Sequence, residues 1–125
     1  MKKLIITIAL SCVVFGWVVS RPYADKPNNT RKVIASWYGD ECAGKPTASG
    51  EIYDPNQLTA AMWDVPFDTL VRVQLGPATN TVTVRINDRG PAKRLKRGID
   101  LSRKSFSQIA DLDAGLITVE LTVLK

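Results

Sequence analysis

The stretch TVTVRINDRGP, residues 81–91, alternates polar and apolar side chains as far as Ile86, then gives way to an amide, an acid, a base, a glycine and a proline. Alternation with a period of two marks a strand that has one face in a core. Gly90 and Pro91 then close the strand in a rigid turn. Asp88 is left at the strand's end, where a carboxyl adds nothing to a core.

Upstream, DTLVRVQL (68–75) alternates in the same way, and GPATN (76–80) between the two is turn-forming, so a hairpin is predicted from about Leu70 to Ile86. VIASWYG (33–39), closed by Gly39, and LITVELTVL (116–124) read as further strands. Downstream, one helix is predicted over Ser102–Ala110, with Ser102 as N-cap and Phe106, Ile109 and Ala110 on the buried face. A mainly β chain with one or two short helices in so few residues implies a compact barrel or sandwich.

At 125 residues, 45% hydrophobic and 23% charged, the chain carries one modest core and is not compositionally disordered. Lys2 and Lys3 precede the apolar run LIITIALSCVVFGWVVS (4–20), the order found in a secretory signal. Residues 1–20 therefore read as a signal peptide cleaved ahead of Arg21, or as an uncleaved N-terminal membrane anchor. Cys12, after Leu10 and Ser11, also leaves a lipid anchor open. RPYADKPNNTRK (21–32) has almost nothing to bury and reads as a flexible linker, so the folded domain is expected at 33–125. The product is expected in the periplasm or cell envelope.

The absence of histidine excludes a Ser-His-Asp triad, a Cys-His nucleophile and a histidine-based zinc site. Cys42 is the one cysteine outside the leader, so no disulfide forms within the domain, and it serves as an apolar filler or a reactive thiol. The net charge of +5 is concentrated between Arg85 and Lys104, where eight basic residues face two acids, Asp88 and Asp100. The segment AKRLKRG (92–98) reads either as a contact for an anionic polymer or as a solvated connection. Export argues against nucleic acid as the partner.

ASWYG (35–39), TASGE (47–51), LTAAMWDVPF (58–67), VRINDRGP (84–91) and IDLS (99–102) stand in one order and at characteristic spacings. Together they resemble the domain of the rare lipoprotein A (RlpA) family of bacterial peptidoglycan lytic transglycosylases, over about Val33 to Leu124. The resemblance implies a six-stranded double-psi β-barrel, related more distantly to expansins, with a polysaccharide groove across one face. It also implies cleavage of the MurNAc–GlcNAc bond without water: an acid protonates the bridging oxygen, and the muramyl C6 hydroxyl closes a 1,6-anhydro ring. One carboxyl is able to act first as acid and then as base.

In this likeness Asp88 matches the acid, and Glu51 the second carboxylate, which would raise the pKa of Asp88 or stabilise charge at C1. Trp37, Tyr38 and Trp63 are candidate faces for sugar rings, or core residues. Arg89, Lys93 and Arg94 form a cationic rim, and Asp100 in IDLS reads as support for its loop. Met62 stands in the groove where catalytic members carry histidine, which removes an imidazole from the site. That departure leaves two classes: an exported lytic transglycosylase, and a non-catalytic expansin-like protein that binds peptidoglycan glycan strands. Many relatives add a C-terminal peptidoglycan-binding repeat, and the chain ends at Lys125, so targeting by such a module is not expected. Neither reading calls for a metal or cofactor, and a monomer is expected.

Overall fold

The computed structural model describes residues 30–124. The expected leader at 1–20, residues 21–29 of the expected linker, and Lys125 lie outside the described residues.

Six strands close into a barrel: β1 Thr30–Trp37, β2 Thr59–Ala61, β3 Leu70–Gln74, β4 Thr81–Asp88, β5 Ile99–Leu101 and β6 Ile117–Val123, in the order β1-β5-β2-β4-β3-β6. The pairs β1·β5 and β2·β4 are parallel and the other neighbours are antiparallel. This is the expected double-psi barrel. The β3–β4 hairpin is in register from Leu70↔Arg85 to Gln74↔Thr81. Alternation puts Val71, Val73, Val82, Val84 and Ile86 into one core with Ile99, Leu101, Val119 and Leu121. Full burial of each such side chain contributes about 1.5–3 kcal/mol.

Two boundaries and two strands differ from expectation. Thr30, Arg31 and Lys32, expected in the linker, belong to β1 and pair with Thr122, Leu121 and Glu120 of β6. The ladder is made by backbone groups, so a polar composition does not exclude it. Strands β2 and β5 are three residues each, too short to show a period, and were represented only by LTAA and IDLS. The helix, α1, spans Arg103–Ser107 and is shorter than expected. Ser102 caps it by accepting from the Ser105 N–H, while the N–H groups of Ile109 and Ala110 both return to the Phe106 carbonyl and tighten its end. Phe106 and Ile109 are buried against the core as predicted, and Ala110 is half-buried.

One irregularity positions the site. Along β4 the even-numbered residues Val82, Val84 and Ile86 face the core, and strict alternation would send Asp88 inward after them. The register with β2 shifts at that point: Ala60 pairs with Ile86, but Ala61 pairs with Asp88. Asn87 is the extra residue of a bulge, and bulges re-aim the side chain that follows. Asp88 is thus turned to the outer face.

Candidate active site

Cross-strand partners share a face of a sheet. Ser36 of β1 pairs with Asp100 of β5, Asp100 with Ala61 of β2, and Ala61 with Asp88 of β4. Four strands therefore present one row, Ser36-Asp100-Ala61-Asp88, on the outside of the barrel. Strand spacing of about 4.8 Å sets the two aspartate Cα atoms about 10 Å apart. The small Ala61 between them forms the floor of a cleft of about 410 Å³, walled by Trp37, Tyr38, Cys42 and the Arg89–Ala92 turn.

Asp88 is arranged as an acceptor. Its Oδ1 accepts from the backbone N–H groups of Ala48 and Arg89, both at 2.8 Å, and its Oδ2 accepts from the Tyr38 hydroxyl at 3.3 Å. Burial, with the charges of Asp88 and Asp100 added, pushes the Tyr38 hydroxyl far above the ordinary tyrosine range, so it keeps its proton to donate. Asp100 is pressed the other way from a free carboxylate. Burial raises its pKa and the charge of Asp88 adds to that, while the 3.0 Å hydrogen bond from Ser36 Oγ and the positive charge of Arg97 oppose it. Two carboxyls thus flank one cleft, Asp100 largely removed from solvent and Asp88 held by three donors.

The cleft brings Asp100, read from the sequence as loop support, together with Asp88, and leaves Glu51 to a separate cluster with Arg85 and Asn87. Glu51 does not line this cleft. Its two oxygens accept from Arg85 at 2.6 and 2.8 Å, and Asn87 donates to one of them at 3.2 Å. Those hydrogen bonds, Arg85 first and Asn87 second, hold its pKa down to about 2, which keeps it ionised. The burial of IDLS against Ser36 is a pairing between distant strands, which no local pattern displays.

Met62 is also corrected. It is 1% exposed and its side chain packs in the main core, so it does not line the groove; only its backbone reaches the site, its N–H donating to the Asp88 carbonyl. Trp37 does line the cleft, with its indole N–H donating to the Leu112 carbonyl and its ring tilted on Phe106. Tyr38 is no open platform: it is buried and stacked on Tyr53, with ring centroids 4.5 Å apart. Cys42 packs against this pair, and burial and the neighbouring Glu41 raise its thiol pKa.

Arg89 lines the cleft, lies over the Phe67 ring at 3.9 Å and donates to the Met62 carbonyl. Trp63 and Lys93 belong to a second cleft of about 330 Å³ with Arg31 and Arg97, and the Lys93 ammonium lies 5.0 Å over the Trp63 ring. The Trp63 indole of this second cleft donates to the carbonyl of Pro91, which lines the first, at 2.7 Å. Arg94 is exposed on the 3₁₀ turn Lys93–Leu95 and lines neither.

Comparison with known proteins gives a consistent pattern. The profile of a family described as lytic transglycolase matches residues 30–121. The endolytic peptidoglycan transglycosylase RlpA of Campylobacter jejuni is 45% identical over 91 residues, which cover 73% of this chain and 33% of that protein. The probable endolytic peptidoglycan transglycosylase RlpA of Treponema pallidum is 42% identical over 114 residues, covering 91% and 35% respectively. The chain thus spans about a third of the length of these curated relatives. Among solved structures, a Streptomyces papain inhibitor superposes with a TM-score of 0.64 at 23% identity, covering 81% of this chain and 100% of that one. A Clavibacter michiganensis expansin in complex with cellohexaose gives 0.61 at 16% identity, covering 77% and 50%. At such identities the last two describe the fold alone.

Proposed function

Because the chain belongs to the lytic transglycolase family, we propose that it is an exported peptidoglycan lytic transglycosylase whose acid and base are Asp100 and Asp88. The observation that carries the reading is the pair itself: two carboxyls on either side of Ala61 in one open cleft, one whose pKa burial raises and the other surrounded by donors. Asp100 gives its proton to the oxygen bridging MurNAc and GlcNAc, and the C1–O bond breaks. Asp88 takes the proton of the muramyl C6 hydroxyl as that oxygen bonds to C1, closing the 1,6-anhydro ring. No water is consumed, and solvent returns the proton from Asp88 to Asp100 between turnovers. The Tyr38 hydroxyl and the Ala48 N–H hold Asp88 in place.

Activity in the absence of the family's histidine is part of the proposal. What supports it is that the row of four residues and the donors to Asp88 are assembled with only the backbone of position 62. Residence in the cell envelope is likewise proposed, on the strength of the charge-then-apolar order of residues 2–20.

The test is digestion of purified peptidoglycan by the wild type, Asp88→Asn and Asp100→Asn, with 1,6-anhydro ends counted by mass spectrometry. Either amide removes one proton-transfer partner and should cost about 10²- to 10⁴-fold. Full turnover by either variant removes that residue from the mechanism. A wild type that binds glycan strands but releases no anhydro ends is the expansin-like binding protein instead.

A further inference from the structure

We infer that Arg85, acting through Glu51, holds the turn at residues 47–51 against Asp88 and is a positioning residue for the proton transfers made there. The inference rests on the reading of Asp88 as a reacting group.

The connections run without a gap. Arg85 and Asn87 lie on the same strand as Asp88. Arg85 grips both Glu51 oxygens and also donates to Asp68 Oδ1 at 2.9 Å, so its guanidinium is held at two points. Glu51 in turn closes the turn behind it: its carbonyl accepts from the Thr47 N–H at 2.7 Å and from the Thr47 hydroxyl at 2.8 Å. The Ser49 N–H donates to the Asn87 carbonyl, and one residue earlier the Ala48 N–H meets Asp88 Oδ1. Ala48 is exposed, so it takes its place from this turn and not from packing.

The orientation of Asn87 supports an ionised Glu51 as the anchor. The residue is 2% exposed and aims its NH₂ at Glu51, leaving its own Oδ1 without a hydrogen-bond partner among the described residues. A buried orphan acceptor is costly. Turning the amide over would set an oxygen against the carboxylate, so the negative charge of Glu51 selects the orientation seen.

The experiment follows the Ala48 amide proton and the Asp88 side-chain carboxyl by NMR across a pH titration of the full-length chain, with turnover measured in parallel. In the wild type the Ala48 amide should titrate together with Asp88. In Glu51→Gln and Arg85→Gln that coupling should disappear while the strand amides stay in place, and turnover should fall by about tenfold to a hundredfold in kcat with little change in KM. Arg85→Lys keeps one of the two contacts and should recover part of both signals. Unchanged coupling in both glutamine variants overturns the inference. So does an inactive Glu51→Gln beside a fully active Arg85→Gln, which would make Glu51 a reacting group in its own right. If the wild type has no turnover, the proposed reaction fails, and the amide titration still decides whether the turn is held this way.

Discussion

Folding obliges Asp100 to hold a proton more tightly than the unfolded chain does, and stability therefore depends on pH in a defined direction. Its contribution is complete below the ordinary aspartate value of 3.8 and is lost as pH rises through the raised value of the folded state. Asp100→Asn removes the ionisation while keeping an acceptor for Ser36. We expect this variant to be inactive yet to melt at a higher temperature than the wild type in mildly alkaline buffer, with the difference closing in acid; equal melting curves at every pH would contradict the burial of that charge. Glu51 has the opposite sign. Its contribution is present above the ordinary glutamate value of 4.5 and is lost as pH falls from there through about 2. Met62 gives a third expectation at this scale. The side chain is enclosed by the core, so Met62→His buries an imidazole without a designed partner and should cost about 1–3 kcal/mol in denaturant unfolding, with no gain in anhydro release.

Among the elements, α1 contributes mainly through Phe106, the largest fully buried side chain among the described residues, packed against the core of the barrel. Phe106→Ala should cost about 3–5 kcal/mol by urea unfolding, a large share of the stability of so small a domain. A loss below about 1 kcal/mol would mean that the helix is not seated as described. The hairpin, the Ser102 cap and the outer strands were legible in the sequence because each rests on a local period or a local cap. Strands β2 and β5 were not, since TAA and IDL are too short for a period to repeat, and the bulge at Asn87 was hidden because it exists only in the pairing of β4 with β2. The site divides along the same line. Asp88 stood out as an acid that ends an apolar strand, whereas the partnership with Asp100 depends on which strands close the barrel around Ala61. The motif marks Glu51 but not its hold by Arg85, two residues before Asn87, because that pairing joins segments distant in sequence.

Over the whole molecule, the cationic cleft of Arg31, Lys93 and Arg97 is tied to the aspartate cleft by the Trp63–Pro91 hydrogen bond, and a long anionic polymer in the aspartate cleft is expected to reach it. Association with isolated wall material should weaken as salt rises toward about 1 M, where the Debye length is about 3 Å; binding insensitive to salt would remove this face from the contact. The single cysteine of the aspartate cleft offers a direct reporter of occupancy, because Cys42 lines it and glycan strands should slow its labelling by a thiol reagent. The central claim is that two aspartates on the outer face of the barrel break a glycosidic bond by closing a ring and not by admitting water. Digestion of peptidoglycan in water enriched in oxygen-18 tests it most directly, with the released muropeptides weighed by mass spectrometry. Ring closure should leave muramyl ends lighter by one water than hydrolysed ends and free of the heavy isotope. Ends carrying oxygen-18 at C1, or no release from a protein that nonetheless binds the strands, would contradict it.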